Sequence, residues 1–573
     1  MQKKWLLNKT NKDFLDYMSR EANVSSITAQ ILINRDIKTP DAAFAFFSSD
    51  INSLSDPMEL TGIKSAVIRI QMAIKNRERI LIHGDYDCDG ITATVIMFEV
   101  IKRLGGDDIV EYFIPSRFDT GYGFHPSAVE IAAQKRITLI ITVDCGISAF
   151  EAVNRARDLN IDVIVTDHHE PDRGDNLTPE LPKAYCIINP KLNDPNLTHQ
   201  RNSSLSGAGV ALMLGLALNS GEIEKMYDLI DIATLGTIAD VVPLTLDNRI
   251  IVREGLKRIG RSVRPGIIEL IDISALTSPN FKSEMFSFTL IPRINAAGRM
   301  GDANLVVKLL TTDSVEEAKE LAFWLNGLNI ERQRIESEVF VSAIAQLEGM
   351  NVGRAVIIAD EDWHEGVLGI VASKLVDRYE MPAFVLNIKD GIAKGSARSI
   401  PKFDILKCLK HCSEHLIQFG GHKQAAGLKL EAKNIQRFTQ CVNQYIIDIS
   451  KEGDLITTLN IDYNVTLKEI NNQLMSEFSR LEPFGYSNPE PLLGAKGLVP
   501  SNLRIVGRNH LKMRLTHEGS VIETIGFDLG ENISWINTVK TIDAVFTPTI
   551  NEWNGTRTVQ LNIKDLRPSN GNS

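Results

Sequence analysis

The stretch Leu81-Ile-His-Gly-Asp-Tyr-Asp-Cys-Asp-Gly90 crowds His83, Asp85, Asp87 and Asp89 into one short segment. An apolar run, Arg79-Ile-Leu-Ile82, leads in, and Ile91-Thr-Ala-Thr-Val-Ile-Met-Phe-Glu-Val100 leads out. The pattern reads as a buried strand, a turn of alternating carboxylates and a helix. Ligands of open α/β sheets sit at the carboxyl ends of strands, and hard divalent cations take carboxylate oxygens. Carboxylates this close repel one another. Without a cation, one would protonate or the loop would splay. A solvated acidic turn needs no ion, so the reading depends on whether other strands supply matching ligands.

Working outward, they do. Ile63 to Lys75 reads as an amphipathic helix, and the helix after Ile91 ends at Gly105-Gly106. Ile137-Thr-Leu-Ile-Ile-Thr-Val143 is a second buried strand, ending in Asp144-Cys-Gly146. After a helix at 148–159, Ile161-Asp-Val-Ile-Val165 is a third, ending in Thr166-Asp-His-His169. Near-continuous apolar strands alternating with helices indicate a parallel sheet covered on both faces. The section 205–260 is helical, and Asp240 closes an apolar helix there. A carboxylate at a helix C-terminus opposes the helix dipole, so a nearby cation accounts for it better than solvent does.

The candidate ligands are therefore His83, Asp85, Asp87, Asp89, Asp144, His168, His169 and Asp240. Carboxylates with a few imidazoles suit Mn²⁺ or Mg²⁺. The set is too large for one ion and right for two, the arrangement that hydrolyses phosphate esters in line. Asp144, alone at its strand end, is the expected bridge. Of the adjacent imidazoles, one can bind metal while the other holds the scissile phosphate or protonates the leaving group. Pro115-Ser-Arg117, Arg293-Ile-Asn-Ala-Ala-Gly-Arg299, Gly395-Ser-Ala-Arg-Ser399 and Phe419-Gly-Gly-His-Lys-Gln-Ala-Ala-Gly427 set cations and small residues where a phosphate backbone can approach. Arg293, Asn295 and Arg299 are expected at the substrate.

Residues 1 to about 50 mix short helical patterns with polar stretches and carry no evident chemistry. A helix without internal proline spans 314–349 and connects two lobes. A second α/β unit follows: strand Arg354 to Ala359, helix Gly366 to Tyr379, strand Ala383 to Leu386. After about 455 come short alternating strands such as Leu511 to Leu515 and Val521 to Ile525, as in a small barrel. Cys408, His411, Cys412 and His415 are zinc-like in type, but four ligands from one helix cannot surround an ion tetrahedrally. Cys408 and Cys412 also continue an apolar stripe, so they read as core.

The chain has 573 residues, 43% apolar and 23% charged, with a net charge of −10. No apolar run is long enough to cross a bilayer, and the start, Met1-Gln-Lys-Lys-Trp, lacks a secretory h-region. Six scattered cysteines fit a reducing compartment, so a cytoplasmic protein is expected. The acidic balance argues against non-specific nucleic-acid binding without excluding a local basic groove.

His83-Gly-Asp-Tyr-Asp-Cys-Asp-Gly90, Val143-Asp-Cys-Gly146, Asp167-His-His169 and Gly236-Thr-Ile-Ala-Asp240 resemble the motifs of the DHH phosphoesterase superfamily. Trp363-His-Glu-Gly-Val-Leu-Gly-Ile-Val-Ala-Ser373, Gly395-Ser-Ala-Arg-Ser399 and Gly420-Gly-His-Lys-Gln-Ala-Ala-Gly427 resemble its DHHA1 domain. With Leu481-Glu-Pro-Phe-Gly485 and Asn488-Pro-Glu-Pro491, the set is similar to the branch of single-strand-specific 5′→3′ DNA exonucleases, over about 60 to 565. The family pattern has alanine more often than Cys88 and glycine more often than Ser487.

The resemblance implies a parallel-sheet DHH domain, a smaller α/β DHHA1 domain joined to it by a long helix, and a C-terminal all-β OB-fold domain. The expected boundaries are 1–55 for an N-terminal extension, 56–310, 311–350, 351–452 and 453–567, then a tail at 568–573. It implies two Mn²⁺ or Mg²⁺ ions held by His83, Asp87, Asp89, Asp144, His168 and Asp240. Asp85 is an extra carboxylate that binds metal or orients a ligand or water. It implies that Arg117, Ser396 and Arg398 grip the 5′-terminal phosphate and that His422 lies near the cleaved one. His169, Asp144 and Asp89 are the expected catalytic residues. The barrel would track a single strand with Arg504, Arg508, Lys512, Arg514, Arg557 and Lys564, though a solvated face explains those equally well. The expected activity is release of mononucleotides from single-stranded DNA in repair and recombination, by a monomer supplied by a single-strand-binding protein and a helicase. A phosphodiesterase of short oligoribonucleotides or cyclic dinucleotides and a non-catalytic DNA-binding member are the alternatives. The length and the extra β domain favour the exonuclease.

Overall fold

The structure, a computed structural model, describes residues 4–116, 123–171, 179–192, 202–278, 280–350, 352–449, 458–553 and 556–569. Its first sheet is parallel, in the order Val110–Phe113, Ile80–His83, Leu139–Val143, Asp162–Thr166, Cys186–Ile188. Leu139–Val143 is buried at every residue, as a strand covered on both faces must be. One face packs against the apolar helices Cys88–Ile101, Gly207–Leu218 and Ile230–Ala239. The other is covered by Pro126–Gln134 and Phe150–Asp158. The strand carboxyl ends therefore open along one edge, where His83, Asp144 and Asp167–His169 emerge.

Helix Val315–Glu348 leaves this lobe for the second. Its buried stripe runs Ala318, Ala322, Leu325, then Asn329, Arg332, Glu336, then Val339, Ala343, Leu347. The apolar thirds belong to the cores of the two lobes. The polar third lies between, with Arg332 bonded to Glu336 and Asn329, and Lys374 reaching Glu336. The second lobe has the sheet order Gln418–Gly421, Ala425–Glu431, Ile392–Arg398, Ala383–Lys389, Val356–Asp360. Only the last pair is parallel. Cys408 and Cys412 are fully buried in its core, consistent with packing residues.

The C-terminal β domain is a closed barrel in which Leu493–Val506 pairs with both His510–His517 and Ile542–Trp553. The N-terminal segment is built onto it rather than standing apart. Strand Lys4–Leu7 pairs in parallel with Thr458–Ile461. Met18, Ile27, Ile31 and Leu32 share one core with Leu493, Leu511 and Phe546. Buried Glu477 accepts the hydroxyls of Ser25 and Thr28, each at 2.6 Å.

Ser487, in the loop before the barrel, has φ of +60°, a left-handed conformation that favours glycine. Ser487→Gly should stabilise the protein by about 0.5–1 kcal/mol. The urea midpoint checks this, and an unchanged or lowered midpoint would count against the strain.

Candidate metal centre

The expected ligands arrive on several different elements. His83 ends its strand fully buried, between the rings of Phe113 and Phe124, with Cys145 Sγ 3.7 Å from Nδ1. Asp87 caps helix Cys88–Ile101, Oδ1 accepting the N–H groups of Asp89 and Gly90. Asp89 lies in that first turn and also faces the start of helix Gly207–Leu218. Its Oδ2 accepts from Gly207 N at 2.6 Å, and Oδ1 from Ala208 N at 2.9 Å. Two helix N-termini thus converge on one carboxylate. Asp240 caps helix Ile230–Ala239 at its other end.

These elements bring the side chains together. His168 Nε2 lies 3.1 Å from Asp144 Oδ1, 3.4 Å from Asp240 Oδ2 and 3.7 Å from Asp89 Oδ2. Donor atoms lie within 4.8 Å of one another in each of three groups: Asp85, Asp87 and Asp144; Asp89, His168 and Asp240; and Asp144, His168 and His169. Asp144 and His168 each belong to two groups. His83 falls in none of the three groups, though its Nε2 is buried.

The electrostatics demand a cation. Burial, then repulsion from Asp87, pushes Asp89 up to about 7. Burial, then Asp89 and Asp87, drive Asp144 and Asp240 well above the carboxylate range. Burial lowers His83 to about 4 and, helped by His169, His168 to about 3, leaving both imidazoles neutral and able to ligate. His83 Nε2 is buried with no hydrogen-bond partner among the described residues, and the 3.1 Å approach of His168 Nε2 to Asp144 Oδ1 lacks hydrogen-bond geometry, which leaves those two buried atoms unmatched as well. Buried polar atoms rarely stay unmatched, and hard carboxylates with neutral imidazoles are a donor set for Mn²⁺ or Mg²⁺.

His169 differs from its neighbour. Burial disfavours its charge, but Asp167, with its Oδ1 2.7 Å from Nδ1, and then Asp240 and Asp87 outweigh this and raise it to about 9. Asp167 in turn is held at about 2, its burial outweighed by the two imidazoles and the N–H of Ile147. Sequence reasoning left Asp167 without a role. Its place directly before two imidazoles at a strand end was the available signal. Asn189, 1% exposed, donates to His169 O at 2.9 Å and fixes the same segment.

An added Cβ at Gly207 would lie 2.5 Å from Asp144 Oδ1. Gly207→Ala should leave the helix intact, since alanine favours it, yet displace Asp144 and lower turnover by about 10²-fold. Unaltered kcat in this variant would show that Asp144 tolerates displacement.

Comparison with known proteins identifies the family. The DHH family N-terminal domain matches at 79–237, the DHHA1 domain at 344–448 and the RecJ OB domain at 461–565. The single-stranded-DNA-specific exonuclease RecJ of Bacillus subtilis is 38% identical over 571 residues, covering 99% of this chain and 71% of that one. The chain belongs to the RecJ family. RecJ of Escherichia coli is 34% identical over 539 residues, 89% of this chain and 91% of that one. The crystal structure of RecJ with Mn²⁺ from Thermus thermophilus superposes with a TM-score of 0.84 at 28% identity, covering 99% of this chain and 80% of that one.

Against this RecJ-family frame, the expected substrate contacts divide. His422 comes from the second lobe to stack on His169, with ring centroids 5.9 Å apart and planes at 14°. Ser396 and Arg398 converge on Gly369 in the first turn of helix Leu368–Tyr379. A Cβ there would sit 2.8 Å from Arg398 Nη2 and 3.4 Å from Ser396 Oγ. Arg117 lies outside the described residues. The other three expected substrate residues also make contacts within the protein. Asn295 accepts the Cys88 N–H at 2.8 Å and so holds the metal loop. Arg293 is engaged by Asn326 and Thr289 O. Arg299 donates to Gly366 O at 3.1 Å and joins the two lobes.

Proposed function

We propose that the chain is a metal-dependent exonuclease that hydrolyses single-stranded DNA from its 5′ end, releasing mononucleotides, in DNA repair and recombination. The group Asp144, His168 and His169 carries this reading, because it takes one member from each of the other two groups and so sets two cation positions side by side. Asp85, Asp87 and Asp144 would hold one Mn²⁺ or Mg²⁺, and Asp89, His168 and Asp240 the other, with Asp144, whose Oδ1 lies 3.1 Å from His168 Nε2, reaching both and His83 a further candidate ligand. Two such ions supply an activated water and charge neutralisation at the leaving oxygen.

The chain's own residues do the rest. His169, whose Nδ1 lies 2.7 Å from Asp167 Oδ1, offers Nε2 as a proton donor to the leaving oxygen or a clamp on the phosphate. His422, stacked on it, faces the same phosphate from the second lobe. Ser396 and Arg398, beside the first turn of a twelve-residue helix, form a cradle for a terminal phosphate, and a cradle that accepts a 5′ end gives the polarity. A cleft of about 1610 Å³ between the first lobe and the barrel is lined by Arg253, Lys257, Arg557, Phe288 and Tyr486. Cations with exposed aromatic rings suit a single strand whose bases are free to stack.

In this reading 56–310 is the catalytic domain, 311–350 the connector, 351–452 the DHHA1 domain and 453–567 the barrel. A monomer suffices, in the cytoplasm, with a single-strand-binding protein and a helicase supplying the strand. No helix is long and apolar enough to cross a membrane among the described residues.

The test is incubation with Mn²⁺ and 5′-labelled single-stranded DNA, duplex DNA, RNA and a cyclic dinucleotide. Labelled mononucleotide should appear from single-stranded DNA alone. Activity confined to the cyclic dinucleotide would overturn the reading, and tight strand binding without cleavage would point to a non-catalytic member.

A further inference from the structure

The edge strand of the parallel sheet, Cys186–Ile188, pairs with Asp162–Thr166, and the Asp167 N–H carries the pairing on to Ile188 O at 3.0 Å. Its carboxyl end therefore opens beside Asp167, His168 and His169. Lys191 lies just beyond that end and belongs neither to the metal centre nor to the phosphate cradle. Buried Asn189 ties the two strand ends together. Its Nδ2 donates to His169 O at 2.9 Å, and its Oδ1 accepts the Lys191 N–H at 2.9 Å. A buried amide matched on both sides fixes where the lysine leaves the backbone.

The Lys191 side chain turns to the same edge. Its Nζ lies 3.3 Å from Oε1 of Glu170, the residue after His169. Burial comes first in moving Asp240 up and His168 and His422 down, and the Lys191 ammonium is among the charges that act on all three. Lys191 thus stands where the two lobes face each other, since His422 stacks on His169 from the second. Its pair with Glu170 is loose. The two side chains are 33% and 55% exposed, and an ion pair in water contributes little. A phosphodiester already held at the metal centre competes for the ammonium at high effective concentration. Lysine, a flexible point charge with three donors, suits a phosphate, which carries no sequence information.

We propose that Lys191 binds a phosphate of the single strand next to the one cleaved, exchanging Glu170 for it when the strand enters. Glu170 is then an internal competitor that holds the ammonium in the free protein. Asn189 keeps Lys191 and His169 in fixed relation, so that the ammonium and the imidazole meet neighbouring phosphates. This rests on the reading of the chain as a single-strand exonuclease. Strand binding by the parent protein tests that reading, and the variants test the role of Lys191.

The experiment is fluorescence anisotropy of a labelled, 5′-phosphorylated single strand on the full chain with Mn²⁺, over a range of salt. Asp144→Asn serves as the parent, so that the strand is bound and not consumed. A parent that binds no strand overturns both readings. Lys191→Met should weaken binding roughly tenfold at about 0.1 M salt and reduce the log–log salt slope by about 0.7, one phosphate contact on a single strand. The factor should be the same for oligothymidylate and oligodeoxyadenylate, and Lys191→Arg should retain most of the affinity. Glu170→Gln frees the ammonium and should tighten binding by about twofold. Mn²⁺ affinity without DNA should not fall in Lys191→Met, because the change removes a cation, and this shows that the variant is folded. An ion pair that merely supported the fold would make Lys191→Met and Glu170→Gln act in the same direction and leave the slope alone. An unchanged slope in Lys191→Met, or weaker binding in Glu170→Gln, overturns the proposal.

Discussion

Asp144→Asn should lower hydrolysis of single-stranded DNA by at least about 10³-fold and raise the thermal stability of the metal-free protein. Asparagine is the informative replacement. Asp144 has φ of +61°, which Asn tolerates and Ala does not, so the change isolates charge from backbone strain. Turnover falls because the shared ligand is lost. Stability rises because burial, Asp89 and Asp87 already oppose ionisation of Asp144. The sign with pH follows. A carboxyl whose folded pKa is raised contributes stability below its unfolded pKa and loses it as pH rises through the folded one. For Asp89 that window runs from about 4 to about 7. Metal-free wild type should therefore melt lower at about pH 8 than at about pH 5.5, Asp144→Asn should lose less, and saturating Mn²⁺ should remove the difference. Equal melting of metal-free wild type at both would contradict the account.

Arg249→Met should destabilise the protein by about 3–5 kcal/mol. Arg249 is 2% exposed, and its guanidinium donates to three carbonyl oxygens on two segments: Phe46 O, Arg480 O and Glu482 O. It also lies 3.9 Å over the ring of Phe46. One side chain on helix Leu246–Ile259 thereby fastens both the N-terminal segment and the barrel domain to the catalytic lobe. Methionine keeps much of the volume but leaves three buried carbonyls without donors. Lysine cannot replace the planar fork. Urea unfolding measures the loss, and limited proteolysis should release the barrel earlier in the variant. A loss under about 1 kcal/mol would mean that other contacts hold the domains.

The strands that carry the ligands were legible because apolar runs ending in His or Asp mark carboxyl ends of a buried sheet. The connecting helix was legible too, since its stripe keeps helical spacing from Ala318 to Leu347 even where it turns polar. Other features have no local signature. Strand Lys4–Leu7 pairs with Thr458–Ile461, and nothing near either segment names the other. Asn295 was placed at the substrate because its neighbours are cationic. Its bond to the Cys88 N–H depends on how two distant helices meet. The antiparallel character of the second sheet could have been read. Asp390-Gly391, with φ of +51° and +75°, joins Ala383–Lys389 to Ile392–Arg398, and Asp-Gly is a strong two-residue hairpin signal.

Asp144 as the ligand shared by two adjacent cations is the centre of the account, and anomalous diffraction at the manganese edge from crystals grown with Mn²⁺ tests it most directly. Two peaks should flank Asp144, one against Asp85 and Asp87, the other against Asp89, His168 and Asp240. A single peak, or two peaks of which only one touches Asp144, would contradict it.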